Sequence, residues 1–174
     1  MDRNRQIEEW YHQYSDGIHT FLVYYTGRSD VEDLVHDVFI RAIRHYQSFL
    51  GNASAKTWLY SIARHAAIDH ERKNKWTKWV PERFFNELRS AERTPLDIVS
   101  AGEEKEALYH SLAKLKTNYR EVIILRSLRE FTVAETADVL QWSESKVNVT
   151  FHRALKALKK VHADKEGGYV HEPQ

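Results

Sequence analysis

From Val31 onward the apolar residues fall at Val31, Leu34, Val35, Val38, Phe39, Ala42, Ile43 and Tyr46, a three-or-four spacing held over more than four turns. That spacing winds one apolar stripe along a helix, and a stripe is stable only when other stripes cover it. The same period recurs at Leu59, Ile62, Ala63 and Ala66, at Leu108, Leu112 and Leu115, and at Val122, Ile124, Leu125 and Leu128. No segment alternates as a strand would, so the chain reads as all-α.

Breakers divide the helices. A first helix is expected from about Ile7 to Tyr25, stopped by Gly27. Ser29 and Glu32 have the spacing of a capping box that would open the second helix. Gly51-Asn52 ends it, and a third helix is expected from about Lys56 past Lys73. Trp79–Gly102 then changes character: it holds Pro81 and Pro95, two of the three prolines, and shows weak periodicity. It reads as a tether, with a short helix able to start after Thr94-Pro95. Helical period returns at Glu103. The expected architecture is two small helical domains, residues 1–78 and 103–164, joined by a flexible linker over 79–102 and followed by a frayed tail over 165–174.

Glu130–Lys160 constrains function most. One helix carries Val133, Ala137 and Leu140 inward, Gln141-Trp142-Ser143 forms a tight turn, and a second helix buries Val147, Phe151, Ala154, Leu155 and Leu158. Its opposite face presents Ser145, Lys146, Asn148, Val149, His152, Arg153 and Lys156, with Thr150 at the flank. Small, polar and basic residues on the second helix of a helix-turn-helix suit a major groove. Ser143 is placed to cap that helix, with Glu144 favoured by its dipole.

Net charge is only +1, but it is unevenly spread. Lys56–Lys78 has six Lys/Arg against Asp69 and Glu71, and Glu144–Lys160 has five against Glu144, each a net of +4. Arg28–Asp37 has four carboxylates against Arg28, a net of −3. Two basic faces suit phosphate and one acidic face suits a basic protein, although any one charge run is also an ordinary solvated helix face. Trp58, Tyr60, Trp76 and Trp79 lie among the first set of cations and suit stacking on unpaired bases; Trp58, beside Leu59 and Ile62, equally suits the core. Asp69 is expected to pair with Arg72 or Arg64.

The chain has no cysteine, hence no disulfide, thiolate site or cysteine nucleophile. Ten histidines do not assemble a metal-ligand spacing, and His70-Glu71 lacks the second histidine of the zinc-protease motif. No nucleophile–base set or phosphate loop appears, so no enzyme activity and no cofactor or metal is expected. Met1–Trp10 lacks the apolar stretch of a signal peptide, and the longest apolar run, Phe21–Tyr25, falls far short of a membrane span. A soluble intracellular protein without membrane insertion is expected.

Three ordered segments carry a family resemblance. Asp30–Phe39 resembles the acidic second helix of the extracytoplasmic-function (ECF) sigma factors of bacteria. Thr57–His65 with Asp69 and Arg72 resembles their promoter-melting, minus-ten-reading segment, and Tyr119–Arg126 running into Thr132–Arg153 resembles their fourth conserved region. The resemblance covers about Ile7 to Lys160. It implies that Glu32, Asp33, His36 and Asp37 dock on core RNA polymerase, and that Trp58, Tyr60, Arg64, His65, Arg72 and Lys73 read and melt the minus-ten element. It implies that Ser143, Ser145, Lys146, Asn148, Val149, Thr150 and Arg153 read the minus-thirty-five element. Core polymerase, promoter DNA and an inhibitory anti-sigma factor are the implied partners, in a bacterial cytoplasm or held at the membrane by that inhibitor. Departures are His65 where asparagine is common, Ala55 near a usual aromatic position, and Lys116 where proline is frequent. Gln141 replaces the usual turn glycine, which costs little only if Gln141 stays out of the left-handed region. The rival reading is a helix-turn-helix regulator that acts without core polymerase, which predicts a dimer gripping paired half-sites unaided.

Overall fold

The structure, a computed structural model, describes residues 2–74 and 98–166. Within them run α1 (Arg3–Thr26), α2 (Glu32–His45), a 3-10 turn (Tyr46–Ser48), α3 (Ala55–Asn74), α4 (Ile98–Ala113), α5 (Thr117–Ile123), a π-helical turn (Ile124–Leu128), α6 (Val133–Leu140) and α7 (Glu144–Glu166). No strand occurs among the described residues. Nor is any helix among them long and apolar enough to cross a membrane.

α1 starts where the Asp2 carboxylate accepts the Asn4 amide and stops at Gly27, whose φ of 67° is the left-handed value glycine adopts without strain. The capping box expected at Ser29–Glu32 does not form. Val31 occupies the N-cap with no side-chain hydrogen bond, and Asp30 is taken by Arg28 at 2.7 and 3.0 Å. Glu32 and Asp33 still face the positive end of the helix dipole. A reciprocal box forms instead at Thr132 and Glu135, opening α6.

The α2 stripe is buried from Val31 through Ala42, but Ile43 stays 42% exposed. A step of about 100° beyond Ala42 carries Ile43 past the edge of the covered arc. α3 buries Leu59, Tyr60, Ala63, Ala66 and Ala67 against α1 and α2. α4 begins at Ile98, so the last five residues of the expected tether are helical. Residues 79–97 of that tether, with Trp76 and the terminal stretch 167–174, lie outside the described residues.

In the C-terminal part, Val122–Leu125 pack against α6 and α7, which contribute Ala137, Val139, Leu140, Val147 and Ala154. The turn between α6 and α7 is Gln141-Trp142-Ser143, as expected. Gln141, however, sits at φ 56°, ψ 45°, inside the left-handed region. Its amide and that of Trp142 turn back to the carbonyls of Asp138 and Ala137, and this closure requires the unfavourable conformation.

The helices of the two parts share one continuous core. α3 packs against α6, and α1 touches α4, α5 and the π turn. A tether reading pictures two separate bodies; here they are docked.

Candidate nucleic-acid and polymerase surfaces

Ser143 caps α7, its hydroxyl accepting the Lys146 amide at 3.1 Å. Beyond the cap Ser145, Lys146, Asn148, Val149, His152, Arg153 and Lys156 are all exposed on one face. Val149 is 46% exposed although apolar, which suits contact with a thymine methyl. Lys146 folds over the Trp142 ring, its Nζ 4.2 Å from the centroid. Thr150, placed by sequence at the flank of this face, turns inward at 8% exposure and leaves it.

α3 divides its six predicted residues. His65, Arg72 and Lys73 are exposed. Trp58 is half-buried, with its ring 5.1 Å from Phe49 and 5.9 Å from Trp10. Tyr60 is 1% exposed, its ring between Phe21 and Phe131, and its hydroxyl accepts from Arg129 Nε at 2.9 Å. Burial pushes the Tyr60 hydroxyl up. Arg64 reaches Glu121 at 2.8 Å, with only 17% of the arginine side chain and 3% of the glutamate exposed. As the helices stand, neither Tyr60 nor Arg64 has a free face for DNA.

The acidic end of α2 is open. Glu32, Asp33 and His36 are exposed, and Glu32 lies 3.7 Å from His19. Asp37 is committed further: Arg41 bridges it at 2.8 Å to Asp69 at 2.7 Å. Asp69 therefore pairs with Arg41 of α2, not with Arg72 or Arg64. The expectation looked along one helix, whereas the partner comes from the neighbouring one. The hydrogen bond from Arg41 holds the Asp69 carboxyl below its usual range. Nearby, His70 Nε2 lies 2.9 Å from Arg28 and 2.7 Å from the Asn74 side-chain nitrogen. A guanidinium only donates, so Nε2 accepts and the ring is neutral. Burial and the Arg28 charge lower the His70 pKa.

Sequence reasoning missed Arg120, Glu121 and Arg129, which join the two parts. Arg120 donates to the Tyr25 carbonyl at 2.7 Å, and Lys56 donates to the Arg129 carbonyl at 3.3 Å. Glu121, 2% exposed, left the one legible signal: an acid directly before the apolar run Val122–Leu125 invites burial beside a cation. No group of three or more metal-ligating side chains occurs among the described residues.

One helical part thus carries a helix-turn-helix with an exposed polar and basic face, and the other carries a cationic helix beside an acidic helix end. Residues 10–77 match the family profile of sigma-70 region 2, and residues 105–158 match sigma-70 region 4. The chain is 37% identical over 155 residues to the ECF RNA polymerase sigma factor SigX of Bacillus subtilis, covering 86% of this chain and 80% of that one. It is 36% identical over 168 residues to the RNA polymerase sigma factor YlaC of the same organism, covering 92% and 94% respectively. The fold matches the sigma factor RpoE of Bartonella quintana, solved with the anti-sigma factor NepR, at TM-score 0.71 and 20% identity over 90% of this chain and 96% of that one. It also matches CnrH, solved with the cytosolic domain of CnrY, at TM-score 0.67 and 23% identity over 91% and 88%. The chain belongs to the ECF group of the sigma-70 family: it directs promoter-specific initiation by RNA polymerase and is not an enzyme.

Proposed function

We propose that the three surfaces divide the work of initiation as follows. The exposed carboxylates Glu32 and Asp33, with His36 and Asp37, dock residues 1–78 on a basic surface of core polymerase. His65, Arg72 and Lys73, joined by Arg64, Trp58 and Tyr60 when the helices separate, hold the melted minus-ten element. The α7 face Ser145, Lys146, Asn148, Val149 and Arg153 reads the minus-thirty-five element, with Ser143 fixing the first turn; residues 103–164 form that module.

The supporting observation is the α7 face: a capped helix after a tight turn, with exposed polar and basic side chains along one side and its apolar side covered. Asn148 suits bidentate pairing with adenine, and Arg153 and Lys156 suit phosphates. Binding by so small a face is weak alone, so a fixed separation from the α3 face is needed. An anti-sigma protein that covers these faces would silence the chain in the cytoplasm; the sigma factor RpoE of Bartonella quintana was solved with one.

In vitro transcription on genomic fragments with core polymerase, with and without the chain, tests the assignment. Asn148→Ala should cost roughly 1–3 kcal/mol at one minus-thirty-five position, and Arg153→Ala should weaken all promoters alike. Glu32→Lys with Asp33→Lys should reduce pull-down of core polymerase. If the α7 variants initiate as well as the parent on every fragment, the assignment of this face is wrong.

A further inference from the structure

Three arginines of this chain are fixed by carboxylates: Arg28 on Asp30, Arg41 between Asp37 and Asp69, and Arg64 on Glu121. Lys146, in the first turn of α7, is held differently. Its Nζ lies 4.2 Å from the centroid of the Trp142 ring, and no carboxylate among the described residues pairs with it. A carboxylate that fixes a lysine also cancels its charge. An aromatic face attracts the ammonium through the negative side of the ring and leaves the positive charge uncancelled.

Local structure places the ring. Gln141, at φ 56°, turns the chain sharply after α6, and the Trp142 amide closes that turn on the Ala137 carbonyl at 3.0 Å. The Ser143 hydroxyl accepts the Lys146 amide at 3.1 Å and fixes the first turn of α7. Side chains of a helix lean back toward its N-terminus. Lys146 therefore folds over the turn, away from the face that carries Ser145, Asn148 and Val149. Trp142 is half-buried against the core while Lys146 is exposed, so the ring is a fixed platform and the ammonium faces solvent. A cation in the first turn opposes the helix dipole, so Lys146 does not serve the stability of α7. The first helix of such a motif crosses the DNA backbone and the second enters the groove, which puts the turn between them against the phosphates of the groove wall.

We propose that Trp142 is a positioning residue for minus-thirty-five binding, holding the Lys146 ammonium over the turn where it meets one phosphate of the DNA backbone. The inference rests on the assignment of the α7 face to that element, and it moves Lys146 from base reading to backbone contact. A free lysine loses much rotamer freedom when it is ordered on a partner. Here folding has already ordered it, so less of the contact energy is spent at binding. Phosphate contacts set register and affinity while base contacts set sequence, so the pair strengthens binding to every promoter alike.

The test uses holoenzyme reconstituted with the full chain. Promoter binding is measured across salt concentrations, on a parent promoter and on promoters changed at single minus-thirty-five positions. Lys146→Met keeps the apolar stem and removes the charge; it should weaken all these promoters alike and lower the salt slope by about one. Trp142→Leu should weaken them about two- to fivefold, the worth of an exposed cation–ring contact, and leave the salt slope unchanged because the charge remains. In the Lys146→Met background Trp142→Leu should cost nothing further, whereas in a Lys146→Arg background, whose guanidinium stacks on the same ring, its cost should return. Trp142 also borders the cleft that Arg64, Ile68 and Arg72 line, so packing alone is the rival role. Packing predicts the same loss from Trp142→Leu with or without the Lys146 charge. Tetrafluorotryptophan in place of Trp142 keeps the shape and removes the negative ring face, and it should reproduce the loss even if the leucine variant folds poorly. Additive losses, full binding with the fluorinated ring, or a Lys146→Met defect confined to one minus-thirty-five position would each overturn the inference. Asn148→Ala separates it from the assignment beneath it. If that variant loses discrimination at one position while the Trp142 and Lys146 losses are additive, α7 keeps its element and Trp142 loses its role. If neither Asn148→Ala nor Lys146→Met changes binding to any promoter, the α7 assignment fails and the inference with it.

Discussion

Trp58 offers the sharpest quantitative prediction, because its two roles on α3 lead to different numbers. The ring is half-buried and touches Phe49 and Trp10, while Trp10 itself is 6% exposed and also meets Tyr46. A tryptophan side chain carries about 150–250 Å² of surface, and half-burial removes roughly 75–125 Å² of it from water. At about 25 cal/mol per Å² that is about 2–3 kcal/mol, and the two ring contacts add roughly 1 kcal/mol more. Trp58→Ala should therefore destabilise by about 3–4 kcal/mol, and Trp58→Phe, which keeps most of the contact, by about 1 kcal/mol. Urea denaturation followed by circular dichroism reads this directly. With a slope of about 1.5–2 kcal/mol per molar, the alanine midpoint should fall by roughly 2 M. A base-stacking residue with no core duty behaves differently: the midpoint stays and only initiation is lost. A midpoint within about 0.3 M of the parent, together with abolished initiation, would refute the packing argument and make Trp58 a DNA residue alone.

Gln141 is held at φ 56°, where a side chain costs roughly 1–2 kcal/mol, and glycine gives back about 0.5–1 kcal/mol in chain entropy. Gln141→Gly should stabilise by up to about 1 kcal/mol in urea titrations without weakening minus-thirty-five binding; a destabilised variant would show that the Gln141 side-chain bond to the Asp138 carbonyl outweighs the strain. Thr132→Ala removes one half of the α6 capping box and should cost about 1 kcal/mol, visible as faster amide exchange in α6. His70 sets the first acid limb. Its folded pKa lies below the usual 6.5, so the unfolded chain binds more protons, and stability should decline as pH falls below about 6.5. Asp30, Asp69 and Glu135 are all depressed, so their stabilisation, present above the ordinary carboxylate range, is lost further down as pH falls through their folded values. His70→Asn should remove the upper limb and leave the lower; an unchanged midpoint–pH curve would mean that His70 does not titrate with folding.

The sequence by itself determined the helices and most of their inward faces, because a 3.6-residue period and the turn at Gln141–Ser143 are local properties of the chain. Gly27 as a stop and Ser143 as a cap were legible for the same reason: both act within one turn of helix. The failures lay where two local options compete. Asp30 went to Arg28, so no box formed at Ser29, and the reciprocal box appeared at Thr132. Partners from other helices were invisible to a reading along one helix. Asp69 found Arg41 across α2, and Thr150 turned inward under the packing of α6 and α7. Only the tertiary structure decided that Arg64 meets Glu121 and that Tyr60 meets Arg129. These contacts join residues 57 and 69 positions apart, and no period or spacing encodes a charge pair whose strength comes from the low dielectric created when the two parts pack together.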